Sequence, residues 1–86
     1  SAKANRVLAD SSQELLDEYE DLVAKGITPT VEEKNRLDII TLQLSDNLGD
    51  SVIAINKETG ALELNTEAVK AQIEGSQNEI KKLERL

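Results

Sequence analysis

The sequence predicts a mainly α-helical fold: an antiparallel helical hairpin or three-helix bundle with a small β-hairpin between helices two and three. Three observations carry this prediction. Aliphatic residues recur at steps of three, four and seven through three stretches, the pattern of helices with one buried face. One stretch, Gly49–Val69, breaks that period and alternates with period two instead. Gly26, Gly49 and the single proline, Pro29, stand at joints between the stretches.

The first helix is expected over about residues 4–25. Leu8, Leu15, Tyr19 and Leu22 fall on one stripe, widened by Leu16 and Val23. Ser12 fills the missing stripe position and weakens the seam there. The outer face carries six acids and no base from Asp10 to Asp21, which suits either solvent or a basic patch on a neighbouring helix or subunit. Gly26 ends this helix as a left-handed cap, with Ile27 packing back over the last turn. Thr28-Pro29-Thr30 makes the corner. Thr30-Val31-Glu32-Glu33 reads as a capping box, in which hydroxyl and carboxylate satisfy each other's backbone amides. The second helix then spans about residues 30–48, antiparallel to the first. Leu37, Ile40, Leu44 and Leu48 form its stripe, with Ile39 at one edge and Val31 near the start, and Gly49 stops it.

The β-hairpin is expected over about residues 52–65. Ile53, Ile55, Leu62 and Leu64 share one face, Ala54 and Glu63 the other, and Lys57-Glu58-Thr59-Gly60 turns the chain. A lone hairpin is marginal in water, so its Ile/Leu face must lie on the flanking helices. Asn65 or Thr66 caps the third helix, about residues 66–86, with Glu67 in its first turn. Val69, Ile73, Ile80 and Leu83 make an a/d register with Ser76 in the gap. Gly75-Ser76 is a weak point that admits either a bend or a close neighbour. An up-down-up bundle would run helices one and three parallel and bring Lys81, Lys82 and Arg85 to the acidic end of helix one. The a/d register favours a rod instead. We expect a bundle for residues 8–70 with helix three projecting beyond it, leaving Ile73, Ile80, Leu83 and Leu86 exposed for a larger assembly.

Composition narrows the function. The chain has 86 residues, with no Trp, Phe, Met, Cys or His and one aromatic, Tyr19, so any core is aliphatic and thin. Without His or Cys, the usual general base, thiolate nucleophile and commonest metal ligands are missing. Glu32 and Glu33 are adjacent on a helix and point about 100° apart, which is poor geometry for an acid/base pair. Asp46, Asn47 and Asp50 around Gly49 lack the ligand spacing of a calcium loop and suit helix-end turn chemistry. We expect no enzyme, no cofactor and no metal. A net charge of −7 opposes direct contact with nucleic acid or an anionic membrane. Lys81, Lys82 and Arg85 are interleaved with Glu79 and Glu84, as suits a helix C-terminus. The chain begins Ser1-Ala2 and stops at Leu86 in mid-periodicity, which we read as one helical module of a longer helical protein.

The segment GDSVIAINKETGALELNTEAVKAQIE, together with Tyr19-Glu20, Thr30 to Leu37, Leu48 to Ile53 and Leu64 to Val69, resembles a segment of the tail tape-measure proteins of long-tailed, siphovirus-type bacteriophages and prophages. The resemblance covers roughly residues 15 to 75, and the order and spacing of its four pieces make it specific. It implies an extended helical chain packed inside the growing tail tube, whose length sets how many tube rings assemble. It also implies a place in the virion, in the tail lumen, and in the bacterial host cytoplasm during assembly. The implied partners are copies of the chain itself, as a homo-oligomer through its helices, and tail-tube or assembly proteins. The residues that would carry this role are the helix seams and the hairpin face. Rival readings are a protein-binding adaptor module of a cellular coiled-coil protein, docking through the hairpin edge, and a self-associating segment of a phage surface adhesin.

Overall fold

Local signals decide where each helix begins and ends. Thr30 has extended backbone, and its hydroxyl accepts from the Glu33 amide at 3.1 Å while the Glu33 carboxylate accepts from the Thr30 amide at 3.1 Å. Both halves of the capping box are therefore formed. Gly26 (φ 67°) and Gly60 (φ 72°) take the left-handed conformations that a helix end and a tight hairpin turn require. The computed structural model describes residues 2–84. It contains α1 (Ala2–Ala24), α2 (Val31–Leu48), a 3-10 turn (Asp50–Val52), β1 (Ile53–Ile55), β2 (Leu62–Leu64) and α3 (Thr66–Glu84). The fold class is the predicted one, mainly α with an antiparallel two-stranded hairpin between the second and third helices.

The hairpin pairs Ile53 with Leu64, Ala54 with Glu63 and Ile55 with Leu62. Asn56 organises its turn. The side-chain oxygen of Asn56 accepts from the Glu58 and Thr59 amides at 2.9 and 3.2 Å, and its carbonyl accepts from the Gly60 amide at 2.7 Å. Asn65, rather than Thr66, caps α3: its side-chain oxygen accepts from the Ala68 amide at 3.1 Å.

Polar contacts between helices settle the directions. Glu18 pairs with Arg36, Lys25 with Glu33 at 2.8 Å, and Ser12 accepts from Asn47 at 3.3 Å, so α2 runs antiparallel to α1 as expected. On the other flank Glu20 meets Lys70 at 3.6 Å and Arg6 meets Glu84. Thus α3 is also antiparallel to α1, and the expected parallel up-down-up arrangement is corrected. Between Asn47, beside Ser12, and Lys70, beside Glu20, the chain travels back along α1 by about 12 Å. The 3-10 turn and the hairpin provide this return, lying against α2. Consequently Lys81 lies near Arg6 and Asp10, and both Lys81 and Lys82 are toward the start of α1 and not at its C-terminal end. Arg85 and Leu86 lie outside the described residues. Nor does α3 project as a rod, because Ile80 is buried toward its C-terminal end and Glu84 is tied to Arg6.

The core is a single aliphatic cluster: Leu16, Ile40, Leu44, Val52, Leu64, Val69 and Ile73. Every helix and the hairpin contribute to it. Val52 enters because the 3-10 turn interrupts the period-two alternation just before β1. Two consecutive residues, Val52 and Ile53, therefore pack toward the helices.

Candidate functional site

The residues singled out by periodicity are seam positions, and the structure redistributes them. On α1 the buried line is Ala9, Ser12 and Leu16, one residue round from the predicted stripe. Leu15, Tyr19 and Leu22 are half-buried against the core, while Leu8 and Val23 are exposed. Ser12, expected to weaken the seam, is 0% exposed. Small side chains on this line permit close helix approach, and the Asn47 carboxamide satisfies the hydroxyl.

On α2, Ile40 and Leu44 are buried and Leu37 and Leu48 half-buried, whereas Ile39 and Val31 face solvent. Thr41 and Ser45 are also buried. Their hydroxyls donate to the Leu37 carbonyl at 2.8 Å and to the Asp50 carboxylate at 3.1 Å. Sequence patterning passes over such residues because it scores them as polar. On α3, Val69, Ile73 and Ile80 are buried within this chain, which corrects the expectation that Ile73 and Ile80 await a partner. Leu83 is exposed and does not extend the seam. The hairpin face divides: Leu64 is buried and Ile53 half-buried, but Ile55 and Leu62 remain 65% and 47% exposed. Only the base of the hairpin rests on the helices.

Two ion pairs join α2 to the end of α1. Hydrogen bonding from Arg36, at 2.8 Å through Nη2, holds the Glu18 carboxyl below the usual carboxylate range and raises the guanidinium in turn. The Lys25 ammonium at 2.8 Å, followed by the Thr30 amide, does the same for Glu33. A carboxyl depressed in the folded state stabilises above its unfolded value near 4.5 and loses that contribution as pH falls through the folded value. Glu33→Gln keeps the capping geometry but removes the charge. The expected result is a lower melting temperature than wild type at pH 7, with the two curves converging as pH falls below 4.5 and through the folded value. Circular dichroism melts from pH 7 to 3 measure this.

Gly75 marks no close approach. The α3 helix runs through it without interruption, and a Cβ built there meets nothing within 4 Å. Gly75→Ala is therefore expected to stabilise the chain by about 0.5–1 kcal/mol by helix propensity alone. A chemical denaturation midpoint that fails to rise would show that the glycine is required for a bend.

Three of the polar residues considered for chemistry take structural roles. Glu33 serves the cap, Asn47 donates to Ser12, and Asp50 accepts from Ser45. Among the described residues no group of three or more His, Cys, Asp or Glu is placed to hold a metal, and no helix is long and apolar enough to cross a membrane. Two open grooves flank α2. Glu14, Leu15, Glu18 and Asp46 line the one toward α1; Lys34, Asp38, Thr41, Leu42, Ala61 and Leu62 line the one toward the hairpin. In comparison with known proteins, the chain matches no family model, no curated protein and no solved structure.

Proposed function

We propose that this chain is a structural segment of a phage tail tape-measure protein, acting through helical packing and self-association in tail assembly and length determination. Its chemistry is mechanical: helix rise and folded dimensions convert chain into tail length. One observation carries the reading beyond the resemblance itself. The four resembling pieces each carry contacts that hold the fold together. Tyr19-Glu20 supplies a core contact and the ion pair to Lys70. Thr30 to Leu37 supplies the capping box and Arg36, which pairs with Glu18. Leu48 to Ile53 supplies the Gly49 stop and buried Val52, and Leu64 to Val69 supplies two core residues and the Asn65 cap. A resemblance that includes such contacts is what a shared folded unit would leave.

The test is an in-frame deletion of residues 1–86 in the phage encoding the parent chain, with tail length read by electron microscopy. As one continuous helix these residues span about 130 Å, whereas the longest dimension of the fold is 48 Å. A shortening near the larger value means the segment is an extended ruler within the tail. A value near the smaller one means a compact unit that counts only its folded length. Viable tails of unchanged length overturn the ruler and leave the adaptor reading, in which the exposed Ile55–Leu62 pair docks another protein.

A further inference from the structure

The outer face of α2 is self-complementary. Val31, Lys34, Asn35, Asp38 and Leu42 recur at steps of three and four along this face, and all five are exposed. Val31 is 77% and Leu42 52% exposed. They stand at the two ends of the stripe, with the base Lys34 and the acid Asp38 between them. Neither Lys34 nor Asp38 takes part in an ion pair among the described residues. A base four residues ahead of an acid is also the weaker order for pairing within one helix.

From this pattern we propose that the chain forms a two-fold dimer in which α2 packs antiparallel against α2 of a second copy. An antiparallel pair centred near Arg36 and Leu37 brings Val31 onto Leu42 of the second copy and Lys34 onto its Asp38, and symmetry repeats both contacts. Leu62 and Ala61 line the groove beside Lys34, Asp38 and Leu42, so each hairpin walls the incoming helix on one side. The Ile55–Leu62 pair, left outside the intramolecular core, gains apolar neighbours there. The assignment specifies the self-association in the function proposed above and rests on that part of it.

Charge selects this face over the other groove. The chain carries −7, so two copies repel over most of their surface. Around the α1–α2 groove Glu14, Glu18 and Asp46 outnumber Arg36, and a second copy there adds acid to acid. Around the α2–hairpin groove one base and one acid balance, and a two-fold axis sets each against its opposite. A contact of about three helical turns is smaller than the roughly 800 Å² per partner of a standard stable interface, so the dimer dissociates in the range of about 10 μM to 1 mM.

Sedimentation equilibrium of the 86-residue chain, from micromolar to millimolar, tests the assignment. Lys34→Glu leaves acids at both central positions and Asp38→Lys leaves bases at both. Each variant alone is expected to dimerise at least tenfold more weakly than wild type, and their equimolar mixture to recover a heterodimer. Leu42→Lys, at an exposed position, is expected to abolish dimerisation without lowering the melting temperature. A chain monomeric at millimolar concentration overturns the proposal. So does a dimer indifferent to Leu42→Lys, or a mixture that associates no better than its components. Tail length is independent of these results: a deletion that shortens tails alongside a monomeric chain would retain the ruler and refute only this dimer.

Discussion

Leu16→Ala is expected to destabilise the chain by about 2–5 kcal/mol. Leu16 is fully buried at the point where α1 meets both of the other helices, in one cluster with Ile40, Leu44, Val52, Val69 and Ile73. The chain's one aromatic, Tyr19, is already half-buried against the same cluster. A domain this small has a total stability of roughly 5 kcal/mol, so the variant should keep at most about 3 kcal/mol and melt well below wild type. The control is its neighbour. Leu15 lies on the stripe that simple periodicity favours, yet it is only half-buried and lines an open groove. Leu15→Ala should therefore cost well under half as much. Urea titrations of the two variants measure the difference, and equal losses would mean that α1 presents Leu8, Leu15 and Leu22 to the core instead.

Gly49→Ala should destabilise by about 1–3 kcal/mol, although the added methyl touches nothing. A Cβ at Gly49 has no atom within 4 Å, so crowding is not the cause. The cause is the backbone. Gly49 sits at φ 98°, ψ 168°, a region open to glycine and closed to residues with a Cβ. Its amide also donates to the Ser45 carbonyl at 2.8 Å, and that bond must distort if φ relaxes. The same glycine-to-alanine change at Gly75 is expected to stabilise, because there the backbone is already helical. Opposite signs for the two variants, read from denaturation midpoints, are the expected outcome. A neutral Gly49→Ala would mean that the turn into the hairpin adopts another path at little cost.

Much of the fold was legible because its signals are local. Thr30 and Glu33 are three residues apart and satisfy each other whatever the rest of the chain does. Gly26 and Gly60 answer steric demands of their own turns. The alternation of Ile53, Ile55, Leu62 and Leu64 names both strands and their shared face. The seam was less legible. Ala9, Ser12, Thr41 and Ser45 are buried, and hydrophobicity gives such residues little or no weight. Their burial depends on how closely a neighbouring helix approaches and on whether a partner such as Asn47 or Asp50 meets the hydroxyl. Ile55 and Leu62 show the reverse case: the pattern assigns them to a buried face, but the helices beneath reach only the hairpin's base.

The sequence by itself determined the helices, their caps, the hairpin and the aliphatic character of the core, since these follow from residues within about one turn of each other. The relative direction of α1 and α3 belonged to the tertiary structure alone. Helix lengths and charge pattern allowed a parallel pair, with the C-terminal lysines beside the acidic end of α1. The return of the chain along α2 reversed that choice, setting Lys70 against Glu20 and Arg6 against Glu84. The return has no local signature. It follows from Val52 and Leu64 reaching a core shared with Leu44 and with Leu16, 36 residues before Val52, and burial of that cluster outweighs a few screened surface charges.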